Sequence, residues 1–135
     1  MNDRCAAGTG AFLEAMARTL EISIEELGAH ALAAESTVRI NSLCTVFAQS
    51  EVVSLVARGM DSRAIALGVH EAIASRVAGM ARRVGPEERV VFAGGGALNR
   101  CLRQLLSRKL GLDLTVPEEP QIVGALGAAL VAREE

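Results

Sequence analysis

Val90-Val91-Phe92-Ala93-Gly94-Gly95-Gly96-Ala97-Leu98-Asn99 sets a short apolar run against three consecutive glycines and an asparagine. The run reads as a strand, Arg89 to Ala93, and the glycines as a tight turn into a helix whose stripe is Leu98, Leu102, Leu105 and Leu106. Farther on, Asp113 to Val116 is a second strand, and Val123, Leu126, Leu130 and Val131 mark a last helix. Strand, helix, strand, helix predicts a parallel βαβ unit with a right-handed crossover, which makes the fold class α/β. In such folds ligands bind past the carboxyl ends of the strands, where glycine admits a ligand that a Cβ would hold away. The turn has neither the G-x-G-x-x-G spacing of a dinucleotide fingerprint nor the Gly-Lys-Ser/Thr of a P-loop. Two readings stay open: a ligand loop, or a turn that needs positive φ angles and nothing more.

Upstream of this unit the period is helical. Phe12, Leu13, Met16, Ala17 and Leu20 form one apolar stripe on a helix beginning near Gly10. Ser23 with Glu26 is a capping box for a short helix to about Ala34. Val38-Arg39-Ile40 alternates and reads as a short strand ending at Asn41-Ser42, followed by a helix from about Phe47 to Arg58 that Gly59 closes. Asp61 caps a long helix with Ile65, Val69, Ile73, Val77, Met80 and Val84 on one stripe, and Gly85-Pro86 ends it. Helix therefore outweighs strand.

The 135 residues suit a single domain with one core, half of them being hydrophobic. Three Phe, no Tyr, no Trp and a formal charge of −2 leave neither a stacking platform nor a broad cation field, so no nucleic acid partner is expected. Met1-Asn2-Asp3-Arg4 does not open a signal peptide, and no apolar run approaches the ~20 residues of a membrane span, which predicts a cytoplasmic protein with no membrane partner. Cys5, Cys44 and Cys101 are an odd count, which argues against a disulfide framework. Cys5 and Cys44 each lie just before a predicted helix, where exposed N–H groups favour a thiolate. One chain offers two such thiolates, fewer than an iron–sulfur cluster takes, whereas a two-fold dimer would offer four. Ordinary buried cysteines are the other reading. Cys101, amid the leucines of its helix, reads as a structural thiol, and His30 and His70 as ordinary helical side chains. Arg82-Arg83 and Glu134-Glu135 read as solvated helix ends, and Glu51 as either a neighbour of a ligand or an exposed helical carboxylate.

Asn2-Asp3-Arg4-Cys5-Ala6-Ala7-Gly8-Thr9-Gly10, Cys44-Thr45-Val46-Phe47-Ala48 with Ser50-Glu51-Val52, Ser75-Arg76-Val77-Ala78-Gly79, Gly94-Gly95 with Asn99, and Gly124-Ala125-Leu126-Gly127-Ala128-Ala129 recur together across the chain. In that combination the sequence closely resembles the activators of 2-hydroxyacyl-CoA dehydratases and the related ATPase subunits of benzoyl-CoA reductases, the BadF/BadG/BcrA/BcrD type. The resemblance implies a helix-rich, partial ribonuclease-H-like lobe of the actin, heat-shock chaperone and sugar-kinase ATPase superfamily. It implies a homodimer sharing one [4Fe–4S] cluster, with Cys5 and Cys44 as the matching ligands. It also implies ATP with Mg2+, a ferredoxin or flavodoxin as electron donor, and a dehydratase or benzoyl-CoA-reductase-type subunit as acceptor. Gly94, Gly95 and Asn99 match the superfamily's adenosine motif, and Gly8, Thr9 and Gly10 a turn whose threonine approaches the phosphates. The turn after Cys5 then borders ATP, which gives a short mechanical path from phosphate to cluster.

Family members run to roughly twice this length. Residues 1–135 correspond to one C-terminal ATPase lobe, without the N-terminal lobe, the start of the second lobe or the acidic turns that hold magnesium and orient the attacking water. ATP hydrolysis by this stretch alone is not expected. The alternative from another class is a non-redox sugar-kinase-like nucleotide-binding or interaction lobe whose cysteines bind nothing.

Overall fold

The computed structural model describes residues 9–41, 44–87 and 89–134. Its elements in chain order are α1 (Thr9–Thr19), α2 (Ile24–Leu32), α3 (Thr45–Ala57), α4 (Ser62–Val84), β1 (Val90–Val91), a short 3-10 helix (Gly95–Leu98), α5 (Arg100–Leu110), β2 (Leu114–Thr115) and α6 (Val123–Glu134). The capping residues act where expected: Glu26 N–H donates to Ser23 Oγ at 3.2 Å, and Arg63 N–H to Asp61 Oδ1 at 2.9 Å.

The predicted βαβ unit is present. β1 and β2 pair in parallel, Val90 beside Leu114 and Val91 beside Thr115, with α5 as the connection. Both strands are shorter than the apolar runs suggest. The Phe92 N–H still reaches Thr115 O at 2.8 Å, but the Gly94 N–H turns away to Pro120 O at 2.7 Å, which takes the chain off the ladder.

The 23-residue α4 is the spine, packed against α5 and α2, while α1 packs against α3. Phe12, Met16, Leu27, Val52, Ile65, Val69, Leu102 and Leu106 are buried between these helices. A side chain of that size contributes about 1.5–3 kcal/mol when fully buried. The α4 stripe holds for Ile65, Val69 and Ile73, is partly buried at Val77, and then leaves the core, with Met80 and Val84 exposed. α6 forms where its pattern predicts, yet Leu126, Leu130 and Val131 face outward at 51–63% exposure.

Val38-Arg39-Ile40 is a correction. The alternation is real, because Val38 is half-buried, Arg39 exposed and Ile40 buried, but the segment is extended chain without a ladder among the described residues. It lies across α4 instead. Val38 N–H reaches Ala64 O at 3.4 Å, and a Cβ on Gly68 would meet Val38 O at 1.9 Å. Glycine inside a helix costs about 1 kcal/mol relative to alanine, and here the missing Cβ is what lets a backbone carbonyl seat on the helix.

Gly68→Ala is therefore expected to destabilise the fold despite its better helix propensity. A urea midpoint equal to or above that of the wild type would show that the 38–40 segment does not need this contact.

Candidate functional site

Two turns far apart in sequence meet at one place. Gly10, from the first turn of α1, lines the same cleft of ≈330 Å³ as Gly95, Gly96 and Asn99. The Thr9 methyl carbon lies 3.8 Å from the position a Cβ on Gly96 would take. A groove of ≈980 Å³ along α4, where Arg76 and Arg83 stand, is larger, but it is open and holds none of these turns. The cleft has the size of a small-molecule site at the low end of the usual range, about 300–1,000 Å³.

The glycine run divides its labour. Gly94 has φ +87°, a conformation other residues rarely adopt, and its N–H and C=O are both used, on Pro120 O at 2.7 Å and from Ala97 N–H at 3.0 Å. It shapes the turn and does not line the cleft. Gly95 and Gly96 sit in the 3-10 helix and give the cleft a wall without side chains, with Gln121 Nε2 3.6 Å from where a Gly95 Cβ would be. Glu25 of α2 and Glu14 of α1 also line the cleft.

Asn99 ends this wall and begins α5. Its Oδ1 accepts from Leu102 N–H at 3.0 Å, the N-cap bond, which starts the helix two residues later than Leu98. Its Nδ2 lies 2.9 Å from Nε2 of His70, and His70 Nδ1 lies 2.7 Å from Ala66 O within α4. His70 is fully buried, and that burial pushes its pKa below the ordinary histidine value. α2 closes on the same amide: a Cβ on Gly28 would come within 2.8 Å of Asn99 Oδ1. Residue spacing marks His70 as ordinary and does not single out Gly28, Gln121 or Glu25. Only His70 has a signal in the sequence, its position between Val69 and Ile73 on a stripe bound for the core.

Cys44 is the N-cap of α3, with φ −79° and ψ 128°, and its exposed thiol makes no capping hydrogen bond. Glu51, about two turns along α3, accepts from Asn41 N–H at 3.1 Å and Asn41 Nδ2 at 3.0 Å, which ties the preceding segment to the helix. Thr45 Oγ1 is buried and has no hydrogen-bond partner among the described residues, and the adjoining Val46 and Phe47 are exposed at 50% and 67%. α1, whose start lines the cleft, packs beside α3, whose start is Cys44. Cys5 and Gly8 lie outside the described residues, and no cluster of three or more His, Cys, Asp or Glu fit for a metal occurs among the described ones. Cys101 is buried at 0% exposure, and desolvation pushes its thiol up to about 11, in keeping with a structural role. Arg82 is not simply solvated, because its guanidinium donates to Lys109 O. Among the described residues no helix is long and apolar enough to cross a membrane.

Residues 1–132 match the model of the BadF/BadG/BcrA/BcrD ATPase family. The chain is 42% identical over its full length to a 2-hydroxyisocaproyl-CoA dehydratase activator of Clostridioides difficile, covering 51% of that protein. It is 48% identical to an activator of lactoyl-CoA dehydratase of Anaerotignum propionicum, with 99% of the chain and 52% of the relative aligned. Among solved structures, an activator of the 2-hydroxyisocaproyl-CoA dehydratase from Clostridium difficile with bound ADPNP superposes with a TM-score of 0.88 at 41% identity, over 98% of the chain and 50% of that structure. The chain thus spans about half the length of the relatives it matches. Its helix-rich architecture with a small parallel sheet is that of part of an actin-like ATPase lobe.

Asn99→Ala removes an N-cap, worth about 0.5–2 kcal/mol, and strands a buried His70 acceptor, worth about 1–3 kcal/mol. The expected loss is about 2–4 kcal/mol in chemical denaturation, and a loss under about 0.5 kcal/mol would contradict the network. The pH dependence has a definite sign. The unfolded chain binds a proton at His70 near pH 6.5, while the folded chain resists it to lower pH. This contribution is complete above about pH 6.5 and is lost as pH falls from there toward the lower folded value. His70→Gln is expected to flatten that decline.

Proposed function

The chain belongs to the BadF/BadG/BcrA/BcrD ATPase family, and from that premise we propose that it is the nucleotide- and cluster-facing part of an ATP-dependent one-electron activator of a 2-hydroxyacyl-CoA dehydratase or related CoA-ester reductase. The observation that carries this proposal is the meeting of the Thr9-Gly10 and Gly95-Gly96-Asn99 turns in one cleft beside the helix pair α1 and α3. On this view residues 1–135 form one ATPase lobe.

The cleft takes the nucleotide. Gly95 and Gly96 allow a flat ligand close to backbone, and Glu14 and Glu25 are acceptors for hydroxyl donors such as those of a ribose. Phosphate is assigned to the start of α1, at Thr9 and Gly10, where the N–H groups of a first helical turn favour negative charge, and Gly8 joins them by the resemblance. The relative solved with bound ADPNP supports a nucleotide ligand of this class. ATP is held with Mg2+, and the residues that complete hydrolysis are sought in the remaining half of the relatives' length.

The thiols take the metal. Cys44 fits a cluster ligand in chemistry and in setting: its thiol is exposed, unspent in capping and placed at the start of a helix. The exposed Val46 and Phe47 beside it, and a Thr45 Oγ1 that has no partner among the described residues, suit a site closed over by a second copy of the chain. Cys5 and Cys44 from each of two subunits supply the four thiolates that a [4Fe–4S] cluster requires. When bound, that cluster supplies one-electron chemistry, taken from a ferredoxin or flavodoxin and delivered to the dehydratase or reductase. The chain's own contribution is to anchor α3 through the Glu51–Asn41 clamp and to pack α1 against it, so that a change at Thr9 is felt along the helix beside Cys44.

Anaerobic reconstitution tests the metal half: about four iron and four sulfide per two chains are expected, with a paramagnetic signal on reduction that Cys5→Ser or Cys44→Ser abolishes. Protein that stays colourless and free of iron after reconstitution would favour a non-redox lobe instead. Redox titration with and without MgADP tests the link, and Thr9→Ala is expected to diminish any nucleotide-induced shift in potential.

A further inference from the structure

We propose that His70 is a positioning residue for the cleft, holding the Asn99 carboxamide in the single orientation that caps α5 while offering one amide N–H and one oxygen lone pair to a bound nucleoside. The protons can be assigned from the partners. The Ala66 carbonyl only accepts, so at 2.7 Å it fixes a proton on His70 Nδ1. The ring is buried within α4 and uncharged there, so Nε2 carries a lone pair and is an acceptor. At 2.9 Å from Nε2, the Asn99 atom must then be the amide nitrogen. An independent contact gives the same assignment, because the other end of the amide accepts from the Leu102 N–H at 3.0 Å, which only the oxygen can do.

A carboxamide has two N–H groups and two oxygen lone pairs. His70 and Leu102 use one of each. The amide cannot back away from them, because α2 approaches so closely that a Cβ at position 28 would lie 2.8 Å from Oδ1. Asn99 lines the cleft, and its unspent donor and acceptor are here assigned to a ligand held there. A donor beside an acceptor complements the edge of a base or a ribose hydroxyl, and it does not complement phosphate, which only accepts. His70 thus selects for the nucleoside end of the ligand without touching it. A buried imidazole with the opposite tautomer would drive the amide to flip and break the cap.

This inference rests on the nucleotide reading of the cleft, and two measurements separate the two. Long-range 1H–15N correlation spectra of the wild-type protein at neutral pH report the tautomer directly, whatever the ligand. A proton on Nδ1 and none on Nε2 is expected, and a proton on Nε2 overturns the proposal. Titration with MgADP then compares two variants. His70→Gln, whose Oε1 accepts from Asn99, is expected to bind within about threefold of wild type, and His70→Leu to bind on the order of tenfold more weakly, the scale of one hydrogen bond. Equal affinity for all three proteins, or an equal loss in both variants, counts against positioning. If His70→Leu does not fold, the tautomer decides alone. Wild-type protein that binds no MgADP removes the nucleotide reading, and the tautomer then decides how Asn99 is held.

Discussion

One side-chain amide joins the parts of this molecule. Asn99 terminates the glycine turn, caps α5, takes hold of a histidine inside α4 and fills the space left by a glycine of α2. Each hydrogen bond is worth about 0.5–1.5 kcal/mol net, but the asymmetry matters more, since a buried imidazole stripped of its partner bears the full cost of its lost solvation. The βαβ turn and the helical layer are therefore not independent. The direction in which α5 leaves the sheet is fixed by the same group that touches α4 and α2, and α4 packs against both of those helices.

The placement of the helix starts follows a common physical rule. α1 begins at the cleft, α3 begins at an exposed thiol, and α5 begins at an amide on the cleft wall. Helix N-termini carry unpaired N–H groups and a partial positive charge, so such starts are disposed toward anions although the chain carries a formal charge of −2. The positive ends come from backbone, so the proposed binding of phosphate and of a thiolate-ligated cluster requires no lysine in either turn. α1 and α3 lie side by side, so the helix that begins at the cleft packs directly on the helix that begins at Cys44.

Much of this is legible from residue spacing. Capping by Ser23 and Asp61, the parallel unit and the buried stripe of α1 rest on local rules, and local rules survive folding. The 38–40 segment alternates as its residues suggest but is no strand, because alternation records two unlike faces and cannot say whether the buried face meets a sheet or a helix. The outward stripe of α6 and the exposed end of α4 depart from expectation for the same reason: periodicity gives a face, and burial needs a neighbour. His70 escapes sequence reading because a single histidine has no periodic signature. Its meaning comes from Ala66 one turn before it and from Asn99 far along the chain, and only three-dimensional proximity joins them.

Glycine has a second use beyond turns. With 13 in 135 residues, slightly above the ~7% of ordinary proteins, the surplus reads naturally as turn chemistry. Gly28 and Gly68 sit inside helices, where each sacrifices about 1 kcal/mol of helix stability. Both occur where something polar must come closer than a methyl group permits, an amide oxygen at Gly28 and a backbone carbonyl at Gly68. A chain with so few aromatic side chains cannot fill its interior with large rings, and it gains contact by bringing backbones together instead. The local weakness of those helices is then a consequence of how the molecule holds the cleft and the 38–40 segment in register, and substitutions that improve helix propensity there work against the fold.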